Sequence, residues 1–312
     1  MLFDSNTDSA LSAEQIDQYL EHIQVPSIYR RNQGPKLDIS FLSTLQACHL
    51  STIPYENLAL HYTDKPHVSL DVETIHRKII FKRRGGYCME NNILLHHVLR
   101  FLGFQVYLTG ARLHRTDDNN QSSGWTGWEH CINIVTLPDQ QRYLVDVGYG
   151  GNGPRAPLPL ALDEASHNNI GTQEVRLIRN PDASSCNPQQ NLWLYQFRNS
   201  ETQPWVSGYA FTDIEFTFRD FEVMNFFTSG SRDCFLTSRL LVVKFLRMDD
   251  RIYGKLVLDH DRVKKNLGGR SEVLQTCTTE TERVNALEHH FGLRLTQDEL
   301  SGIKGRISAL AC

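Results

Sequence analysis

The chain has 312 residues, room for two or three domains at about 150 residues each, and its 40% hydrophobic content argues for a folded core and against disorder. Thirty-two basic against 36 acidic side chains give a formal charge of −4, which excludes a general nucleic-acid binder, and no apolar run approaches the ~20 residues of a membrane span. The start, MLFDSNTDSA, lacks the basic and apolar stretches of a secretory signal, and seven widely spaced cysteines without a C-x-x-C argue against a disulfide framework or a structural zinc site. A reduced, cytoplasmic protein with free thiols and no metal is the expectation.

The first third reads as helical. Ser12-Ala13-Glu14-Gln15 is a capping box ahead of Ile16, Tyr19, Leu20 and Ile23. Asp38 can cap a helix carrying Phe41, Leu42 and Leu45, and Asp71 one carrying Val72, Ile75 and Ile79. After RGGYCMENN (84–92), the stripe Ile93, Leu94, Val98, Phe101 and Leu102 runs to a natural stop at Gly103. The middle third changes period: residues 104–108, 130–134 and 144–148 alternate as strands, with further strand-like runs near 174–179 and 191–198, which predicts an antiparallel sheet or small barrel. The polar stretches 114–124 and 180–191 read as loops. The last third is mixed: strands over 239–246 and 252–259, then a helix behind a second capping box at Thr279-Glu280-Thr281-Glu282.

Cys88 stands out by its surroundings. A thiol at a helix start feels the positive end of the macrodipole, Gly85 and Gly86 permit a tight turn, and Arg83 and Arg84 add positive potential. The alternative is an inert buried cysteine. A thiolate needs a base and the base an orienting group. His130 opens a strand, and Asp146 stands between Val145 and Val147, where an unpaired carboxylate would be costly. A four-residue turn at 138–141 would put His130 and Asp146 on opposite faces, so a turn of odd length or a β-bulge is expected between them. The basic run Arg77, Lys78, Lys82, Arg83, Arg84 is either a solvated helix face or an attraction for phosphates, and Arg84 can pair with Glu56. His96-His97 and His289-His290 read as helix-surface pairs, and Trp125 and Trp128 either line a pocket or pack a loop.

Together these segments resemble the arylamine N-acetyltransferase family. IPYENLALH (53–61) is similar to its P-F-E-N-L segment, and RGGYCMENN to its R-G-G-[FYW]-C-x-E-x-N signature. TGWEHCINIV (126–135) and YLVDVGYGG (143–151) match its histidine and aspartate strands, and DFEVMN (220–225) a segment near the start of its third domain. The resemblance implies an α+β protein with a papain-like cysteine-triad core in three domains. These are a helical domain at 1–103, an antiparallel β-barrel at 104–209 and an α/β lid at 210–312. It implies a catalytic Cys88, His130 and Asp146, with acyl-CoA or substrate contacts at Thr126, Gly127, Trp128 and Glu129. Further contacts fall at Phe227, Ser229 and Ser231, in a segment (225–235) one residue shorter than the family pattern and lacking its proline. The implied activity is ping-pong transfer of an acetyl group from acetyl-CoA to aryl amines, arylhydrazines or N-hydroxyarylamines in xenobiotic metabolism. Malonyl-CoA, propionyl-CoA or a transglutaminase-like or thiol-protease-like enzyme are the alternatives. The partners are small molecules, with no nucleic acid and no membrane, and the oligomeric state is left open.

Overall fold

The computed structural model describes residues 9–116, 122–181 and 191–311. It opens with helices α1 (Ala13–His22), α2 (Ile39–Thr52), α3 (Val72–His76) and α4 (Cys88–Phe101), with the two-residue strand β1 (Tyr55–Glu56) between α2 and α3. Each expected cap forms. Ser12 Oγ accepts from the Gln15 N–H at 3.2 Å while Gln15 accepts from Ser12 N–H at 2.8 Å, Asp38 accepts from Phe41 N–H and Asp71 from Thr74 N–H. Beyond α3 the chain widens into one π-helical turn over Arg77–Phe81. Past α4, Gly103 takes φ +96°, the left-handed stop that its position predicts. The apolar stripes of these helices bury Ile16, Tyr19, Leu20, Phe41, Leu45, Ile93 and Leu94 in one core.

The middle of the chain supplies β2 (Gln105–Thr116), β3 (Ser122–Thr136), β4 (Arg142–Val145), β5 (Leu158–Pro159), β6 (His167–Asn168), β7 (Glu174–Pro181), β8 (Asn191–Arg198) and β9 (Val206–Phe211). They form an eight-stranded antiparallel sheet in the order β5-β4-β3-β2-β9-β8-β7-β6 that curls until β5 approaches β7, nearly closing a barrel. Helices α5 (Phe218–Gly230) and α6 (Phe235–Ser238) lead into a second sheet. It contains β10 (Leu241–Met248), β11 (Arg251–Asp259), β12 (Arg262–Asn266) and β13 (Ser271–Thr276), with β1 added at its edge. Tyr55 lies opposite Val243 and Glu56 opposite Val242, so the helical segment is stitched directly to the C-terminal sheet. Helices α7 (Glu280–Ala286) and α8 (Gln297–Gly302) follow, and Leu287 and Phe291 after α7 cover the sheet's far side with Val242, Leu258 and Val263. The architecture is α+β.

The local expectations are met in part. The β3–β4 register (Asn133 opposite Val145, Thr136 opposite Arg142) leaves a five-residue connection at 137–141, closed by Leu137 N–H to Gln141 O at 2.9 Å and by Gln140 at φ +69°. The turn therefore has odd length, and His130 and Asp146 fall on one face. At α7 only half of the second capping box forms: Thr279 accepts from Glu282 N–H, but the Glu282 carboxylate accepts from Thr278. The strands β2 and β3 extend into the stretch read as a loop, whose centre (117–121) lies outside the described residues, as does 182–190 of the second. Helices α5, α6 and α8 and strands β1, β5, β6, β9, β12 and β13 lie outside the elements read from the sequence. His96 is buried and not on the surface, because α4 runs through the core.

The basic run is also not a solvated face throughout. Lys78 Nζ lies 2.8 Å from Glu90 and 3.6 Å from Glu56, and Arg84 lies 3.3 Å from Glu56 and also binds Glu299 on α8. The Arg84–Glu56 pair is as expected. Burial pushes the Glu56 carboxyl up, but Arg84 and Lys78 outweigh it and hold it below its ordinary value.

Two stability measurements follow. Arg84→Ala strands a fully buried Glu56 beside a single remaining cation and is expected to cost about 3–5 kcal/mol in urea unfolding; a loss under about 1 kcal/mol would show the network to be ornamental. Burial lowers His49 and His96 to about 3 and His61 to about 4. Folding thus favours their neutral forms: stability is full above the unfolded-chain value of about 6.5 and is lost as pH falls toward 4, by about 2 kcal/mol per residue at pH 5. The melting temperature should drop by several degrees between pH 7.5 and pH 5, and a flat profile would contradict this.

Candidate active site

The site is assembled around the turn that carries Cys88. Residues 85–86 run alongside Pro54–Glu56: Glu56 N–H donates to Gly86 O at 2.9 Å and Gly86 N–H to Pro54 O at 3.3 Å. At Gly85 a Cβ would sit 1.9 Å from Pro54 O, so glycine is required there by close approach. The left-handed residue of the turn is Arg83 at φ +53°, not a glycine. Glu90 accepts from the Tyr87 N–H at 3.1 Å and caps α4, leaving Cys88 as its first helical residue, 4% exposed.

Burial pushes the Cys88 thiol well up, and the charge of Asp146 adds to that; the Met89 N–H at the helix start opposes both and loses. The helix start alone therefore does not supply a thiolate, in keeping with the need for a base. Arg84 is spent on Glu56 and Glu299, and Arg83 meets His22. The sulfur ionises only if a base takes its proton and stays beside it as a cation.

His130 lies on β3, one residue after Glu129, whose carbonyl accepts the Cys88 thiol at 3.8 Å. Its Nε2 is 2.8 Å from Asp146 Oδ2, leaving Nδ1 as the nitrogen not engaged by the carboxylate. Asp146 Oδ1 accepts from Asn92 Nδ2 at 3.0 Å and from the Gly148 N–H at 2.8 Å. Burial pushes the Asp146 carboxyl up, but His130, Asn92 and Gly148 together hold it below the usual carboxylate range. The rings of Tyr209 and Tyr149 pack against His130 at 5.2 and 5.6 Å. At Gly148 a Cβ would lie 2.6 Å from Cys88 Cα, so this glycine lets the loop after Asp146 reach the start of α4.

Cys88 and His130 open on one cavity of about 440 Å³, a volume suited to a small organic ligand. Bulges at Ala111/Arg112 and Arg112/His114 of the β2–β3 pairing re-aim the strand, so Thr126 and Glu129 line the cavity. Trp128 turns away to pack on Phe216 at 5.4 Å with Arg112 over its ring, and Trp125 packs against His114. Gly127 does not line the wall either. Phe227, Ser229 and Ser231 are also off the wall: the Ser229 hydroxyl donates to Asn225 O within α5, and Ser231 caps its end. Phe235 and Leu236, just downstream, occupy the wall instead. Among the described residues no cluster of His, Cys, Asp or Glu could hold a metal, and no helix is long and apolar enough to cross a membrane.

Three contributors escaped the sequence reading. Asn92 was noticed as part of a motif, but its hydrogen bonds to Asp146, the Cys131 carbonyl and the Val147 N–H are products of tertiary contact. Tyr149 directly follows Gly148 on the loop beside Asp146 and gave no signal of its own. Lys255 also lines the cavity; its signal is a single cation inside the apolar run I-Y-G-K-L-V-L of β11.

The sequence model of the N-acetyltransferase family matches residues 38–300. An N-malonyltransferase of Fusarium pseudograminearum is 33% identical over 94% of this chain and 92% of its own. The arylamine N-acetyltransferase of Escherichia coli is 31% identical over 81% and 82%. Among solved structures, the arylamine N-acetyltransferase of Nocardia farcinica superposes with a TM-score of 0.79 at 26% identity, covering 96% of this chain and 97% of that one. The chain belongs to the arylamine N-acetyltransferase family and is an acyltransferase.

Proposed function

We propose that this protein transfers a short acyl group from an acyl-CoA to an aryl amine, arylhydrazine or N-hydroxyarylamine by a ping-pong route through a thioester on Cys88. The observation that carries the reading is the 2.8 Å His130–Asp146 contact beside a Cys88 thiol that burial keeps protonated on its own. His130 Nδ1 takes the thiol proton. The thiolate attacks the thioester carbonyl, the carbon–sulfur bond to coenzyme A breaks, and coenzyme A leaves with a proton from the imidazolium. A neutral amine then attacks the Cys88 thioester, His130 accepts its proton, and the cysteine is released. Asp146 holds the ring and balances its transient charge. Free N–H groups at the start of α4 stabilise the oxyanion.

The donor lies against Thr126, Glu129, Phe235 and Leu236 under a lid formed by 210–312, with 1–103 bearing the nucleophile and 104–209 the base. A cavity of about 440 Å³ suits an aryl amine better than a peptide. Acetyl is the acyl group suggested by the family as a whole. The N-malonyltransferase relative, which spans 94% of this chain, favours malonyl as a second reading. The five cysteines among the described residues are buried and unpaired, which fits a reducing, cytoplasmic setting.

Incubated with acetyl-CoA or malonyl-CoA and no amine, the wild type is expected to gain one acyl mass on Cys88 by intact-protein mass spectrometry and to lose it on adding an aniline; Cys88→Ser should gain none. Wild-type protein unmodified by any acyl-CoA would sink the proposal. Asp146→Asn should lower turnover by about 10³–10⁴-fold. His130→Gln removes the proton acceptor, so carbamidomethylation of Cys88 by iodoacetamide, fast at pH 7 in the wild type, should become negligible there and recover only in strong alkali. Equal rates at pH 7 would rule out His130 as the base.

A further inference from the structure

Lys255 sits in the middle of β11, opposite Phe245 of β10 and Asn266 of β12, and is 4% exposed. Strand alternation sends Leu258 into the core behind the sheet and turns Lys255 and Val257 toward the cavity that holds Cys88 and His130. Its ammonium donates to two neutral acceptors, the Gly151 carbonyl and Asn152 Oδ1. No carboxylate comes within ion-pair reach of it among the described residues. Among the described residues the other buried arginines are treated differently: Arg84 is paired with Glu56 and Glu299, and Arg283 with Glu280. The remaining cations of the cavity wall are also spoken for, Arg115 by Glu129 and Lys264 by Asp259. A buried cation without an anion is costly, and burial alone lowers Lys255 to about 8, so it remains mostly charged at neutral pH. The missing partner is an anion that arrives with the substrate.

We propose that Lys255 is the anion-binding residue of the acyl pocket and pairs with the free carboxylate of a dicarboxylic acyl donor, malonyl-CoA first among them, while the donor's thioester lies at Cys88. The inference rests on the acyl-transfer reading above and names the acyl group for it. Coenzyme A phosphates stand at the far end of the pantetheine arm, whereas Lys255 lies beneath the cavity surface next to the loop that follows Asp146. A carboxylated acyl chain, short and adjacent to the reacting carbonyl, is the anion that fits such a position.

The test is the acylation half-reaction, followed as coenzyme A release with no amine present, so that a carboxylate on the acceptor cannot contribute. The ratio of the malonyl-CoA to the acetyl-CoA rate constant is compared in wild type, Lys255→Met and Lys255→Arg. The expected result is a ratio at least about tenfold lower in Lys255→Met and largely restored in Lys255→Arg. Lys255→Met keeps the stem and removes a buried charge, so its melting temperature should match or exceed that of the wild type. Should it fail to fold, malonyl-CoA is compared with its methyl ester on the wild type, where the ester should lose the advantage. An unchanged ratio overturns the proposal. So does an equal loss with both donors, which would assign Lys255 to coenzyme A, and so does an effect seen only with aminobenzoate relative to aniline in full turnover. A wild type that no acyl-CoA acylates overturns the acyl-transfer reading itself, a result distinguishable from all of these.

Discussion

A carboxylate shut away from water stays ionised only where its oxygens are occupied, and Asp146 meets that condition with three different parts of the chain. One oxygen faces His130 on β3, and the other takes Asn92 on α4 and the N–H of Gly148 on its own loop. Together these donors overcome the burial that would otherwise protonate the acid. Because the carboxylate stays charged, the imidazole beside it has one nitrogen fixed and the other left over. The Cys88 thiol gets no comparable help from its surroundings, since burial and the same carboxylate both disfavour its anion. In the proposed mechanism its chemistry therefore depends on proton transfer to the ring, and the ring on Asp146.

The scaffold that holds this arrangement is also electrostatic, and it too joins distant segments. Glu56 on β1 ties Lys78, Arg84 and, through Arg84, Glu299 on α8 to the turn ahead of Cys88, while β1 itself hydrogen-bonds to β10. Glycines at 85 and 148 let backbone reach backbone where any side chain would intervene. Lys255 departs from this pattern of compensated charge, a cation lodged in the cavity wall that donates to the Gly151 carbonyl and the Asn152 side-chain oxygen.

Much of this was readable beforehand, for reasons that differ by residue. Helix caps and stripes are local: Ser12, Asp38 and Asp71 each satisfy the N–H three residues on, so sequence spacing is enough. The shared face of His130 and Asp146 followed from strand parity and needed an odd turn, which the structure has. The walls of the cavity were less legible. Thr126 and Glu129 reach it while Trp128 does not, because bulges shift the alternation partway along β3, and nothing in the local pattern marks where a bulge will fall. The helices that follow were no more legible: residues 227 and 229 of α5 stand away from the cavity while 235 and 236 of α6 reach it.

From the sequence alone came the α+β organisation, the family, and the three side chains proposed for the chemistry, because local periodicity and short motifs encode them. The tertiary structure alone decided the state of those side chains. Whether a thiol is acidic, a lysine paired or a histidine solvated depends on desolvation and on partners remote in the chain. Cys88 lies 41 residues from Glu129, and Arg84 lies 215 residues from Glu299. Such distances close only when the sheets and helices pack, and the low dielectric that this packing creates is what gives the few remaining charges their force.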